Sequence, residues 1–173
     1  MFESINGVPS HVLFVHAPVV LVPLLMLAAL ALLLRPAWRR PFSGPLALFS
    51  VVSFVATMLA RQSGNAFDDL LDGAVDTAQH EQLGDQTALI VFVLMLLCLV
   101  GAAVLRRSPP PETDAANVVA GDAPELSARP QTSVASTGLI ALITLVSILA
   151  TFWMVRTGDV GARLVWEGNV PGL

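Results

Sequence analysis

The sequence predicts an all-α integral membrane protein, a four-helix bundle with a short amphipathic helix on its outer face. Composition is the first sign: 55% of the 173 residues are hydrophobic and 13% charged, with a mean hydropathy of +0.74, whereas soluble domains carry roughly 25% charged residues. Length is the second: four runs approach the ~20 apolar residues that a helix needs to cross ~30 Å of hydrocarbon. The third is that none of the four holds Asp, Glu, Lys or Arg in its interior. Ion pathways place ionisable groups there, so this also argues against a pump or secondary transporter. No internal repeat of the transporter kind is present either.

The first run, residues 12–34, is interrupted only by His16, Pro18 and Pro23. Glu3 precedes it, with no Arg or Lys, so it lacks the basic region of a signal peptide and is expected to remain as a helix. The second run, 42–60, is the shortest in strictly apolar length. Beyond it, at about 100° per residue, Asp69, Asp72, Asp76 and His80 share one narrow stripe, opposite Phe67, Leu70, Leu71, Ala74, Val75 and Ala78. That pattern predicts the amphipathic outer helix, its polar face acidic and therefore unsuited to anionic lipid.

The third run, 87–105, contains LIVFVLMLLCLV, whose Cys98 is the single cysteine, so no disulfide framework exists. Residues 108–133, rich in Pro, Ala and small polar side chains, read as a flexible cytoplasmic linker. The fourth run, 134–155, is diluted by serines and threonines and leads into a Gly-rich outer tail. Three sections follow: 1–107 with helices one to three and the outer loop, the linker 108–133, and 134–173 with the fourth helix and tail.

All nine cationic residues are arginine. Arg35, Arg39, Arg40, Arg106, Arg107 and Arg129 fall on one side of the membrane, and Arg61, Arg156 and Arg163 on the other. The excess marks the first side as cytoplasmic. The expected arrangement is thus multi-pass with both termini on the outer face. With four crossings, His11, His16 and His80 share that outer face whichever way the protein is inserted.

These histidines are the candidate ligands. His11 and His16 lie about 7 Å apart along a helix and about 140° apart around it, so they form no i, i+4 pair. His16 with His80 across the bundle is a candidate axial pair for haem b. A divalent metal is the other ligand reading, with His11, His16, His80, Asp76 and Glu81 as donors, imidazole and carboxylate suiting Zn, Fe, Ni or Cu. Interfacial placement of the rings, with no ligand, stands beside both. No nucleophile elbow, Walker loop, dinucleotide fingerprint, HExxH or CxxC occurs, so enzyme chemistry finds no motif. A net charge of -4 without lysine argues against nucleic-acid binding. The partners expected are the lipid bilayer and other membrane-protein subunits.

HVLFVHAP at 11–18, the Ser63-Gly64 pair after run two, His80 before run three and RTGDVGARLVW at 156–166 together resemble a bacterial family of predicted membrane proteins, domain of unknown function 2231. The resemblance covers nearly the whole chain apart from the linker. It implies a small four-helix protein of a bacterial cell (inner) membrane and no stated activity. Where many relatives carry histidine in a Gly-His-x-Gly-Gly pattern this chain has Asp159, which the resemblance adds to the candidate metal donors. The functional expectation is a small redox-associated or cofactor-binding membrane protein; the alternative is a non-catalytic accessory or scaffold subunit.

Overall fold

The computed structural model describes residues 4–5, 8–107 and 134–167. The linker expected at 108–133 and the end of the tail, 168–173, lie outside them. Among the described residues four helical rods are long and apolar enough to cross a membrane, as expected. A two-residue antiparallel pairing, β1 (Ser4–Ile5) with β2 (Val8–Pro9), precedes the first.

The first rod is α1 (Ser10–Phe14) followed directly by α2 (His16–Leu34). The interruption has a covalent cause. Pro18 has no N–H for the carbonyl of Phe14, four residues back, so the hydrogen-bond ladder lapses where α1 meets α2. Val15 keeps right-handed helical angles (φ -63, ψ -26), and the rod continues. At its far end Arg35 is extended (φ -124, ψ 88), as the residue before Pro36 must tend to be, and α2 stops. A single 3-10 turn, Pro36–Trp38, leads into α3 (Arg39–Leu71).

The amphipathic helix expected over 67–80 is not a separate element. α3 runs on to Leu71, and Asp72 (φ 46) and Gly73 (φ 74) then take left-handed angles that end it. After a short turn α4 (Ala78–Arg107) begins, with the Asp76 carboxylate accepting the Ala78 N–H at 3.2 Å. The acidic stripe is thereby divided: Asp69 stays on α3, Asp72 and Asp76 lie in the turn, and His80 opens α4. Gly84 does not interrupt α4. α5 (Val134–Trp166) likewise passes through Gly158 and Gly161 unbroken, so the Gly-rich tail is continued helix as far as Trp166. Neither a glycine's freedom nor its roughly 1 kcal/mol helix penalty breaks a long rod that is packed on both sides.

Successive rods are neighbours, α2 on α3, α3 on α4 and α4 on α5, and α5 closes the ring against α2. Val22, Leu25, Leu94, Ile140 and Ile143 fill its centre, all almost wholly buried. α3 contributes a different surface: Ser43, Ala47, Ser50, Ser53, Thr57, Ala60 and Ser63, small residues recurring every three or four positions. Lipid tails give no hydrophobic drive for helix association, so such residues serve by letting backbones approach closely. Their hydroxyls are satisfied within the helix, Ser53 donating to Phe49 O at 2.9 Å and Thr57 to Ser53 O at 2.8 Å. Large apolar side chains such as Leu89, Leu145 and Val155 face outward, as a lipid-facing surface requires.

α3 and α5 have 33 residues each and α4 has 30. At about 1.5 Å per residue they measure roughly 45–50 Å, well over the ~30 Å of hydrocarbon. The surplus projects at the histidine end, where residues 61–71, 78–86 and 156–166 form a polar cap. The opposite end carries Arg35, Arg39, Arg40, Arg106 and Arg107.

Candidate functional site: a histidine pair in the polar cap

Two of the three histidines meet in this cap, and they are His11 and His80. The ring centroids lie 6.0 Å apart with the planes at 82°, an edge-to-face arrangement. His11, on the first turn of α1, directs Nδ1 to the carbonyl of Ala60 on α3 at 3.0 Å, with the Ser63 hydroxyl 3.3 Å away. His80, on the first turn of α4, directs Nδ1 to the carbonyl of Thr157 on α5 at 3.1 Å. A carbonyl oxygen only accepts, so in each ring Nδ1 carries the proton and donates it. The lone pair of each neutral imidazole therefore resides on Nε2.

Each ring has a glycine for a seat. A Cβ on Gly64 would stand 3.1 Å from His11 Cε1, and one on Gly161 would stand 2.7 Å from His80 Cε1. Any side chain at those positions would press on the ring. Phe67 covers His11 from α3, the rings stacked at 17° with centroids 6.4 Å apart. Beneath His80 the hydroxyls of Thr157 and Thr87 meet at 2.9 Å, joining α5 to α4. The pair thus ties α1 to α3 and α4 to α5, and its own contact joins the two halves. The same cap holds an ion pair, Arg61 to Asp85 at 2.6 Å, and a hydrogen bond from Trp153 Nε1 to Gln86 at 2.8 Å.

The remaining sequence candidates are placed elsewhere. His16 is exposed and directs Nδ1 to its own rod, to Val12 O at 2.6 Å; the ring against His80 is that of His11, not the expected His16. The cause is the geometry already described. His11 and His16 are on different faces of one rod, and the face bearing His11 is the one packed on α3. Asp76 caps α4, Glu81 is exposed, and Asp159 pairs with Arg163 at 3.1 Å. Among the described residues no three His, Cys, Asp or Glu side chains come close enough to hold a metal ion, so the six-residue donor set of His11, His16, His80, Asp76, Glu81 and Asp159 is not assembled.

The pieces that carried the family resemblance converge on this one place. His11 comes from the first, Ser63 and Gly64 from the second, His80 is the third, and Thr157 with Gly161 belong to the fourth. The model of the family described as predicted membrane protein, DUF2231, matches residues 7–171. The chain belongs to that family. Neither a curated protein nor a solved structure matches it. Membership accords with a multi-pass membrane protein in contact with lipid.

Sequence reasoning about this family member missed two features. The first is the role of Gly64 and Gly161; a helical glycine without a turn beside it was the available signal, since it incurs a propensity cost that packing must offset. The second is Arg39, counted only as a topological charge. It is 4% exposed at the opposite end of the bundle. Its guanidinium donates to Leu32 O at 3.0 Å, Leu33 O at 3.1 Å and Thr137 Oγ1 at 2.8 Å. Those carbonyls belong to the last turn of α2, where a cation also complements the helix dipole.

Proposed function

We propose that this protein is a small cofactor-binding membrane protein whose polar cap holds a late first-row transition-metal ion between Nε2 of His11 and Nε2 of His80. The observation that carries the reading is the pairing itself, two imidazoles 6.0 Å apart, each with Nδ1–H spent on a backbone carbonyl. Metal-ligating histidines characteristically donate their other N–H in this way, which orients the ring and raises its basicity. Two imidazoles leave coordination positions open, so water or an exogenous donor completes the shell. An open site suits ligand exchange or electron transfer rather than a purely structural ion. That is the redox-associated role in its most concrete form.

An ion fits these surroundings better than haem. Phe67, Gly64 and Gly161 already lie against the two rings, and a macrocycle would displace them. The Arg asymmetry supports insertion in a bacterial cell membrane with both termini outside, so that the cap faces the outer compartment. Phosphatase fusions after residue 80 and residue 122 report this. Activity only at 122 would reverse the assignment.

The accessory reading keeps one observation of its own: the same two hydrogen bonds close the outer end of the bundle mechanically, without any ligand. Purified full-length protein, incubated with Cu²⁺ or Zn²⁺ and desalted, separates the two. Metal retained near one equivalent, raising the melting temperature and lost in His11→Ala and in His80→Ala but kept in His16→Ala, is expected. No retained metal would remove the metal-binding reading and leave the accessory role. A Soret band in protein from haem-replete cells, abolished by either substitution, would instead return the site to haem.

A further inference from the structure

At the end opposite the histidines, an apolar groove of about 340 Å³ runs between α2 and α3. Ala28, Ala31 and Leu32 form one wall, and Trp38, Phe42 and Phe49 the other. The volume falls within the ~300–1,000 Å³ of ordinary ligand clefts. The two alanines are what make it a groove, since their short side chains leave the aromatic wall uncovered. Trp38 and Phe42 pack with centroids 5.8 Å apart and remain 41% and 50% exposed.

The mouth of the groove is cationic. The Arg35 guanidinium lies over the Trp38 ring, 5.0 Å from its centroid. Exposed Arg40 follows at the start of α3, and Arg106 lies against Gly44 on the next face of that helix. The ion pairs seen among the described residues involve Arg61 and Arg163, at the other end. Arg35, Arg39, Arg40, Arg106 and Arg107 have no carboxylate partner among the described residues. Charge alone would draw any anion, and an apolar trough alone any acyl chain. Their junction at Trp38 selects a molecule that carries both.

We infer that this groove is a binding site for an anionic phospholipid, with one acyl chain between α2 and α3 and the headgroup phosphate against Arg35. The tryptophan marks the boundary between the two parts, where amphipathic aromatic rings settle in a bilayer. Arg35 supplies planar, forked donors suited to a phosphate, and its charge beside the trough favours an anionic headgroup over a neutral one. The acidic cap at the other end has the opposite charge, so the preference belongs to this leaflet alone.

Trp38 is its own reporter. In full-length protein carrying Trp153→Phe and Trp166→Phe, Trp38 is the remaining fluorophore. The protein is reconstituted in phosphatidylcholine vesicles containing a minor share of brominated phosphatidylglycerol, or the same share of brominated phosphatidylcholine. Bromine quenches on contact, so the ratio of the two quenching constants reads relative occupancy. A preference of roughly five-fold for the anionic lipid is expected from one arginine at the headgroup. Arg35→Gln is expected to bring the ratio near one. Ala31→Phe, which fills the trough and leaves every charge in place, is expected to lower quenching by the anionic lipid to that of the neutral one. Equal quenching by the two lipids in the parent protein, or a preference that survives Arg35→Gln, would overturn the inference.

Discussion

Gly161→Ala and Gly158→Ala are the same chemical change three residues apart on α5, and the structure requires them to act with opposite sign. At Gly158 an added Cβ meets nothing within 4 Å, so the substitution contributes only helix propensity, about 1 kcal/mol of stabilisation. At Gly161 the same Cβ would stand 2.7 Å from Cε1 and 3.0 Å from Nδ1 of His80. The ring must move, and two contacts resist. Its Nδ1 donates to Thr157 O, one turn back on the same helix, and its far side meets His11. Losing that hydrogen bond costs about 1 kcal/mol and overpacking about 1–3 kcal/mol, against the same 1 kcal/mol propensity gain. The net is a destabilisation of roughly 1–3 kcal/mol. For a chain of this size that is a fall of roughly 2–12 °C in melting temperature for Gly161→Ala, set against a rise of about 2–4 °C for Gly158→Ala. Thermal unfolding of the detergent-solubilised protein, followed by circular dichroism, reads both. His80→Ala with Gly161→Ala supplies the coupling: once the ring is gone, adding the methyl group at 161 should stabilise, as it does at 158. If Gly161→Ala alone matches Gly158→Ala, the seat assigned to His80 is wrong.

Further outcomes follow from individual contacts. His11→Ala removes the hydrogen bond to Ala60 and the stacking on Phe67, and is expected to cost about 1–2 kcal/mol in the same melting assay, whereas exposed His16→Ala should stay within about 0.5 kcal/mol. Arg39→Ala leaves the last carbonyls of α2 without their donors and should cost about 2–3 kcal/mol; Arg39→Lys should recover only part of it, because an ammonium cannot reproduce the three-way fork. Asp72 holds a left-handed conformation that glycine adopts freely, so Asp72→Gly should stabilise by up to about 1 kcal/mol, and Asp72→Val should destabilise. An unchanged melting temperature for Asp72→Val would place the end of α3 elsewhere.

The four crossings and the common side of the three histidines were legible from the chain, because hydropathy and run length are properties of consecutive residues and a bilayer has a set thickness. Family kinship was legible for a similar reason, its motifs being short and in order along the chain. The acidic stripe misled because periodicity was read across Asp72-Gly73, where local turn chemistry permits left-handed angles and the helix stops. Pro18 interrupts the first apolar run in the sequence, and in the structure α1 gives way to α2 at Val15, which keeps helical angles.

Which histidine faces His80 is a different kind of fact. It depends on how far each rod is rotated about its own axis and slid along its neighbour. Those settings come from the close fit of Ser50, Ser53, Thr57 and Ala60 on α3 against the other rods, a fit between residues distant in sequence. Rotation decides for His11 over His16. Axial register brings Gly64 and Gly161 beneath the two rings and converts two helical glycines from weaknesses into seats. The same interlocking buries Arg39 at the other end, where a count of charges saw only a topological mark. Hydropathy along the chain thus determined that this protein crosses a membrane four times with its histidines together on one side. Packing between the rods alone decided that His11 and His80 meet there.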